Sequence, residues 1–248
     1  MLEVLVAIIG IFAGITTGVF GLGGAIVILP ALTFMGFNLR EAIGISFFQM
    51  FFVIGISLYL RYRSYRIDFA MVRFTFPFII IGAIAGIIVS HMIPVKFLQL
   101  AFGIVLIYLA INMVRPKKDK AEKHFATLNK PAVAFLAIVT GLYSGFFGVG
   151  GTSIFTPGLT ALGYEISKAI SVSLFSVFGI AGVGIIGYSY VWTHKLHLAV
   201  ILCAGAITGL FIGHRISLAD KTKKLTLYGL AFLIALSGAI MLVKSFYL

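Results

Sequence analysis

The sequence predicts an all-α polytopic membrane protein built from two inverted-topology repeats. Three observations lead there. Hydrophobic residues make up 61% of the 248, and charged residues only 10%; a soluble domain carries about 25% charged. Apolar runs of roughly twenty residues recur from end to end, the length a helix needs to cross a bilayer. The chain also says one thing twice. Gly14–Gly24 reads G-I-T-T-G-V-F-G-L-G-G and Gly141–Gly151 reads G-L-Y-S-G-F-F-G-V-G-G, at an offset of 127 residues. The offset holds without a gap through Pro30 and Pro157, Gly36 and Gly163, Ser46 and Ser173, Gly55 and Gly182, and Gly82/Gly86 with Gly209/Gly213. The short alternating segments of a β-barrel are absent.

The first repeat occupies 1–114. Its opening apolar stretch, 2–37, is too long for one crossing and has Gly18, Gly21, Gly23 and Gly24 in its middle, followed by Pro30. Glycine is a weak helix former and proline cannot donate to the ladder. The stretch therefore reads as a broken, re-entrant hairpin, with helices over 2–19 and 24–37 and a kink at Pro30. Spans follow at 42–60, 69–91 and 97–114. A linker over 115–130 (R-P-K-K-D-K-A-E-K-H-F-A-T-L-N-K) joins the halves. The second repeat, 131–248, gives a hairpin over 132–164 with its kink at Pro157, then spans at 168–188, 196–216 and 225–246. Three full crossings per half invert the second copy relative to the first.

Charge supports that inversion. If loop 61–68 is cytoplasmic, so are 115–130, 164–168 and 215–224. With Arg73 these segments hold fifteen of the nineteen Lys and Arg residues; Arg40, Lys96, Lys195 and Lys244 are on the other side. Treating 2–37 as one span would place the Asp220–Lys224 cluster outside, against the positive-inside bias. The reading is a multi-pass membrane protein, with the linker cytoplasmic and both termini extracytoplasmic. The net charge of +12 lies in loops, so it does not point to nucleic acid. The start, Met-Leu-Glu, has no basic n-region, so no removable signal peptide is expected. Tyr59, Tyr62 and Tyr65 at one face, and Tyr188, Tyr190 and Trp192 at the other, fit aromatic belts. Cys203 reads as a small buried hydrophobe. No metal motif or cofactor fingerprint is present.

The glycine turns carry the chemistry. A helix that starts inside a bilayer exposes N–H groups without intrahelical partners, at the positive end of its dipole. Glycine lets backbone approach a ligand without a Cβ in between. Two such starts related by inversion would aim at one midplane point. The candidate substrate-binding residues are Gly21, Gly23 and Gly24 with Gly148, Gly150 and Gly151. Beside them stand the hydroxyls of Thr17, Ser144 and Thr152, then Ser46 and Gln49 on one face of the next span and Ser173 and Ser176 at the equivalent places. For any single hydroxyl the competing reading is a bond to its own helix carbonyl. Gly82/Gly86 and Gly209/Gly213 read as packing glycines. No acidic residue lies deep in a span, which removes a charge that would repel an anion and leaves no carboxylate relay.

These doubled motifs, G-x-x-[TS]-G-x-F-G-x-G-G with a proline six residues on, resemble the sulfite exporter TauE/SafE family of prokaryotic membrane transporters. The resemblance covers nearly the whole chain. The family often carries a third glycine after the pair, where Ala25 and Thr152 stand here. It implies transport of sulfur-containing anions such as sulfite, thiosulfate or organosulfonates. The expectation is thus a non-enzymatic secondary transporter that exports such an anion by alternating access, with the bilayer and a small anion as partners. The alternative is an anion channel with the same site. An intramembrane serine protease using Ser144 and His214 fits poorly, because Ser144 has no nucleophile-elbow spacing around it and corresponds to Thr17 in the other copy. Oligomeric state, direction and the anion itself stay open at this point.

Overall fold

A computed structural model of the chain describes residues 2–20, 24–62, 67–114, 129–217, 234–239 and 241–242. Among the described residues the protein is helical, with no strand. The helices are α1 (Leu2–Phe20), α2 (Ala25–Phe34), α3 (Leu39–Tyr62), α4 (Phe69–Met92), α5 (Val95–Val114), α6 (Lys130–Phe147), α7 (Thr152–Ala161), α8 (Ile166–Gly187), α9 (Ser189–His194) and α10 (Leu196–Ser217). Residues 234–239 are also helical. Gly21 and Gly23, residues 63–66, linker residues 115–128, the Asp220–Lys224 cluster and most of the span expected at 225–246 lie outside the described residues.

The helix ends follow from local chemistry. Asp68 caps α4 by accepting from the Met71 N–H at 3.0 Å, and Asn129 caps α6 through the Ala132 N–H at 3.4 Å. Before α3, the Asn38 N–H donates to Glu41 Oε2 at 2.9 Å, the reaching-back half of a capping box. α6 stops because Gly148 turns left-handed, at φ 67°, where a β-carbon is disfavoured.

Six described helices are long and apolar enough to cross a membrane: α1, α3, α4, α6, α8 and α10. This departs from the sequence reading, which gave full crossings only to the spans after each hairpin. The hairpins are lopsided. Their first arms, α1 and α6, have 19 and 18 residues. Their second arms, α2 and α7, have ten each, about 15 Å of helix and half a hydrocarbon core. The break falls late because every glycine with a turn conformation follows the long apolar run rather than dividing it.

Packing crosses between the halves. α1 lies along α10, and α4 along α6. Gly10, Gly14 and Gly18 of α1 face the backbone of Leu202, Ala206 and Leu210 in turn; Gly205, Gly209 and Gly213 face Ala7, Ile11 and Ile15. Numbers rise together, so the two helices run in the same direction, backbone against backbone. Gly82 and Gly86 meet Ile138 and Leu142 in the same way, and Gly141 and Gly145 meet Ile79 and Ala83. A side chain at these glycines would force the helices apart. α3 packs on α8 with numbers running oppositely. Gly44 faces Val191, Phe47 faces Gly184, and Phe51 stacks on Phe178 at 4.6 Å between centroids. These two helices, equivalent under the 127-residue offset, are therefore antiparallel at the centre. α2 rests on α3 and α1; α7 rests on α8 and α6.

Two features were not anticipated. The short helix α9 follows α8 directly. Tyr188, expected in an aromatic belt, is only 1% exposed. It is drawn inward because its hydroxyl bonds Ser90 Oγ at 2.5 Å and its ring packs on Phe47. Tyr59 and Tyr190 do face outward. The side chains of Tyr62, Tyr65 and Trp192 are outside the described residues.

Candidate functional site

Both half-length helices start without a side-chain cap. Gly24 precedes α2 in a left-handed conformation (φ 56°), and Gly151 precedes α7 in a right-handed one (φ −65°); as glycines, neither supplies a side-chain cap. The contrast with α4 and α6 is chemical. The leading N–H groups of α2 and α7 lack intrahelical partners and carry the positive end of the dipole.

The second turn is built against α3. Ser46 Oγ donates to the Gly148 carbonyl at 3.3 Å. Ser144 Oγ donates to the Val149 carbonyl, and Ser153 Oγ to the Gly150 carbonyl at 3.4 Å. Three hydroxyls from three helices thus satisfy three successive carbonyls of the turn between α6 and α7. Gly24 sits against Ala13 and Thr17 of its own repeat.

All seven non-glycine candidates are buried: Thr17, Ser46, Gln49, Ser144, Thr152, Ser173 and Ser176. Their hydroxyls are largely engaged. Thr17 donates to the Ala13 carbonyl at 2.8 Å and Ser176 to the Val172 carbonyl at 2.8 Å. Ser173 accepts from Thr156 at 2.9 Å. Gln49 differs. It is fully buried one turn beyond Ser46, and among the described residues neither its amide nitrogen nor its oxygen has a partner. Thr140, absent from the sequence reading, resembles it. Its hydroxyl is likewise buried without a partner among the described residues, and its methyl lies against Gly151. Each such group costs roughly 1–3 kcal/mol when nothing answers it.

The structure places the second turn near Ser46, five residues from Phe51 and so about 7 Å along α3 from its stacking point on α8. Along α3, Gln49 lies between Ser46 at the second turn and Phe51 at the contact with α8. Pro30 and Pro157 lie inside α2 and α7.

A separate cavity of about 30 Å³ is lined by Thr17, Gly18, Ser57, Leu60, Leu174, Leu210 and His214. It has room for one water. Its equivalent in the other half is filled, because Phe47 lies against Gly184 and Ile87 against Gly187. Ser144, whose hydroxyl is spent on Val149, does not line the cavity that His214 borders.

Comparisons with known proteins complete the site. The family model described as sulfite exporter TauE/SafE matches residues 6–241. The probable membrane transporter protein MJ0441 of Methanocaldococcus jannaschii is 29% identical over 68% of this chain and 66% of its own length. The probable membrane transporter protein YunE of Bacillus subtilis is 26% identical over 90% of this chain and 92% of its own. A probable membrane transporter protein of Haemophilus influenzae is 30% identical over 71% of this chain and 70% of its own. No solved structure matches.

Proposed function

This chain belongs to the sulfite exporter TauE/SafE family, a multi-pass membrane protein with transporters as relatives, and on that premise we propose that it carries a small sulfur-containing anion across a prokaryotic membrane by alternating access. Sulfite, thiosulfate and small organosulfonates share the needed chemistry: compact oxyanions that accept several hydrogen bonds at once. One observation carries the reading. The half-length helices α2 and α7 begin on glycines, without a side-chain cap, and Gln49, buried without a partner among the described residues, is one turn along α3 from Ser46, which holds the turn before α7; a helix N-terminus favours an anion.

The two halves are inverted repeats on this reading. Support comes from the antiparallel α3–α8 pair and the exchanged parallel pairs α1–α10 and α4–α6, which a two-fold axis in the membrane plane generates. On this reading the substrate binds between the two turns and Gln49, held by N–H groups at Gly24, Gly150 and Gly151, by the Gln49 amide and by Thr152. Gly148 shapes the second turn, while Ser46 and Ser144 hold backbone. The basic segments set the linker in the cytoplasm and the termini outside. An inside-negative potential then drives export at about 2.3 kcal/mol per charge per 100 mV.

Purified protein in proteoliposomes tests this, with sulfite, thiosulfate, taurine and sulfoacetate loaded in turn. Saturable flux of at least one anion, at transporter rates, is expected. Flux no higher than in empty liposomes ends the proposal, and single-channel currents replace it with the channel reading.

A further inference from the structure

The 127-residue offset also pairs two clusters of charged and aromatic side chains. In one, Lys195 Nζ lies 2.9 Å from Glu41 Oε1 and 4.4 Å from the centroid of the Phe37 ring. In the other, the Tyr164 hydroxyl donates to Asp68 Oδ2 at 2.5 Å, and Lys168 acts on the same carboxylate through space. Lys168 also pairs with Glu165 at 2.9 Å. Taking 127 from Lys195, Tyr164 and Lys168 gives Asp68, Phe37 and Glu41. The same three positions stand in both clusters, with the charges exchanged, but the direct contact differs. Glu41 on α3 pairs with Lys195 before α10; at the other end the residue that bonds Asp68 before α4 is Tyr164, while Lys168 on α8 pairs with Glu165.

Each cluster ties one half of the chain to the other. Because α3 and α8 are antiparallel, their first turns, and so the two clusters, stand at opposite ends of the molecule. Neither touches the candidate anion site. A carboxylate from the first half bonded to a polar group of the second, at both ends, is not needed for packing, which an apolar pair would serve as well. It suits a contact that must open and close in water.

Among the described residues the two ends are packed differently. At the Lys195 end, Ser90 holds Tyr188, Phe47 fills the niche against Gly184, and Arg40 Nη2 donates to the carbonyls of His91 and Ile93 at 3.1 and 2.5 Å. At the Asp68 end the matching niche is the cavity beside Ser57 and Leu174.

We propose that these clusters are alternating latches of the transport cycle, one released in each open state, and that the Asp68–Tyr164–Lys168 latch opens first. This rests on the transport reading above. It adds the residues that decide which face is open.

Thiol labelling tests it without any substrate. In a Cys203→Ala background, Ser57→Cys reports the Asp68 end and Ile87→Cys the Lys195 end, each probed by a membrane-impermeant maleimide in oriented vesicles. Asp68→Asn and Tyr164→Phe should raise labelling at Ser57→Cys several-fold and lower it at Ile87→Cys. Glu41→Gln should do the reverse. The exchange Glu41→Lys with Lys195→Glu should return labelling to the starting rate. Labelling unmoved by every single variant, or a folded exchange variant that behaves like Glu41→Gln, overturns the latches. If labelling shifts as stated but no anion is carried, the latches stand and the transport reading falls.

Discussion

Gly14 of α1 and Ala206 of α10 touch backbone to backbone: a Cβ added to Gly14 would overlap the Ala206 carbonyl oxygen and stand 2.7 Å from the carbonyl carbon. Gly182 has no such neighbour, its added Cβ lying 3.6 Å from the Phe51 ring. Gly14→Ala should therefore destabilise the protein by about 1–3 kcal/mol, while Gly182→Ala should stay within roughly 0.5 kcal/mol. Melting in detergent separates the two, and equal melting temperatures contradict the packing described.

Gln49 is an amide buried for something other than stability. Gln49→Leu removes an unanswered polar group of about the same volume, so the empty protein should gain on the order of 1–2 kcal/mol. Anion flux in proteoliposomes should fall at least ten-fold. A Gln49→Leu protein that melts lower and carries anion normally refutes the assignment.

The Asp68–Tyr164 bond makes stability depend on pH at both extremes. The Tyr164 hydrogen bond, helped by the Met71 and Ala70 N–H groups, holds the Asp68 carboxyl below the usual range against an opposing effect of burial. Burial first, and the Asp68 carboxylate second, push the Tyr164 phenol up. A lowered carboxylate stabilises above its unfolded value, about 3.9, and that contribution is lost as pH falls through the folded one. A raised phenol stabilises below its unfolded value, about 10, and that contribution is lost as pH climbs through the folded one. The melting-temperature gap between the native protein and Asp68→Asn should thus be flat from about pH 5 to 9 and shrink outside it. A gap that changes near neutrality would point to a different titrating group.

Cys203 is 7% exposed within α10. Maleimide should not modify it in folded protein and should modify it fully after denaturation. Rapid reaction in the native state would mean that the α1–α10 side of the molecule opens.

Much of the fold is legible in the sequence because a bilayer leaves few options. Apolar length sets the spans, and the duplicated glycines mark both turns. The site is less legible. Gly14, Gly18, Gly141 and Gly145 belong to the motif by pattern, but they serve helix contact, and their partner helices lie far along the chain. Thr140 was missed because comparing copies rewards identity, and its counterpart is Ala13. The signal lay in the difference, a hydroxyl added beside one turn only. Tyr188 was misplaced for a similar reason: an aromatic at a span end reads as an anchor until Ser90 is seen to hold it.

The glycine contact between α1 and α10 also bears on how the protein is made. α1 has its mate about 190 residues later in the chain, a separation that delays folding. Until α10 is made, the glycine face of α1 must wait in lipid or against the insertion machinery. Neither half alone can cover it, so this contact forms only after both halves have been made. Halves expressed as separate polypeptides should assemble only when produced together.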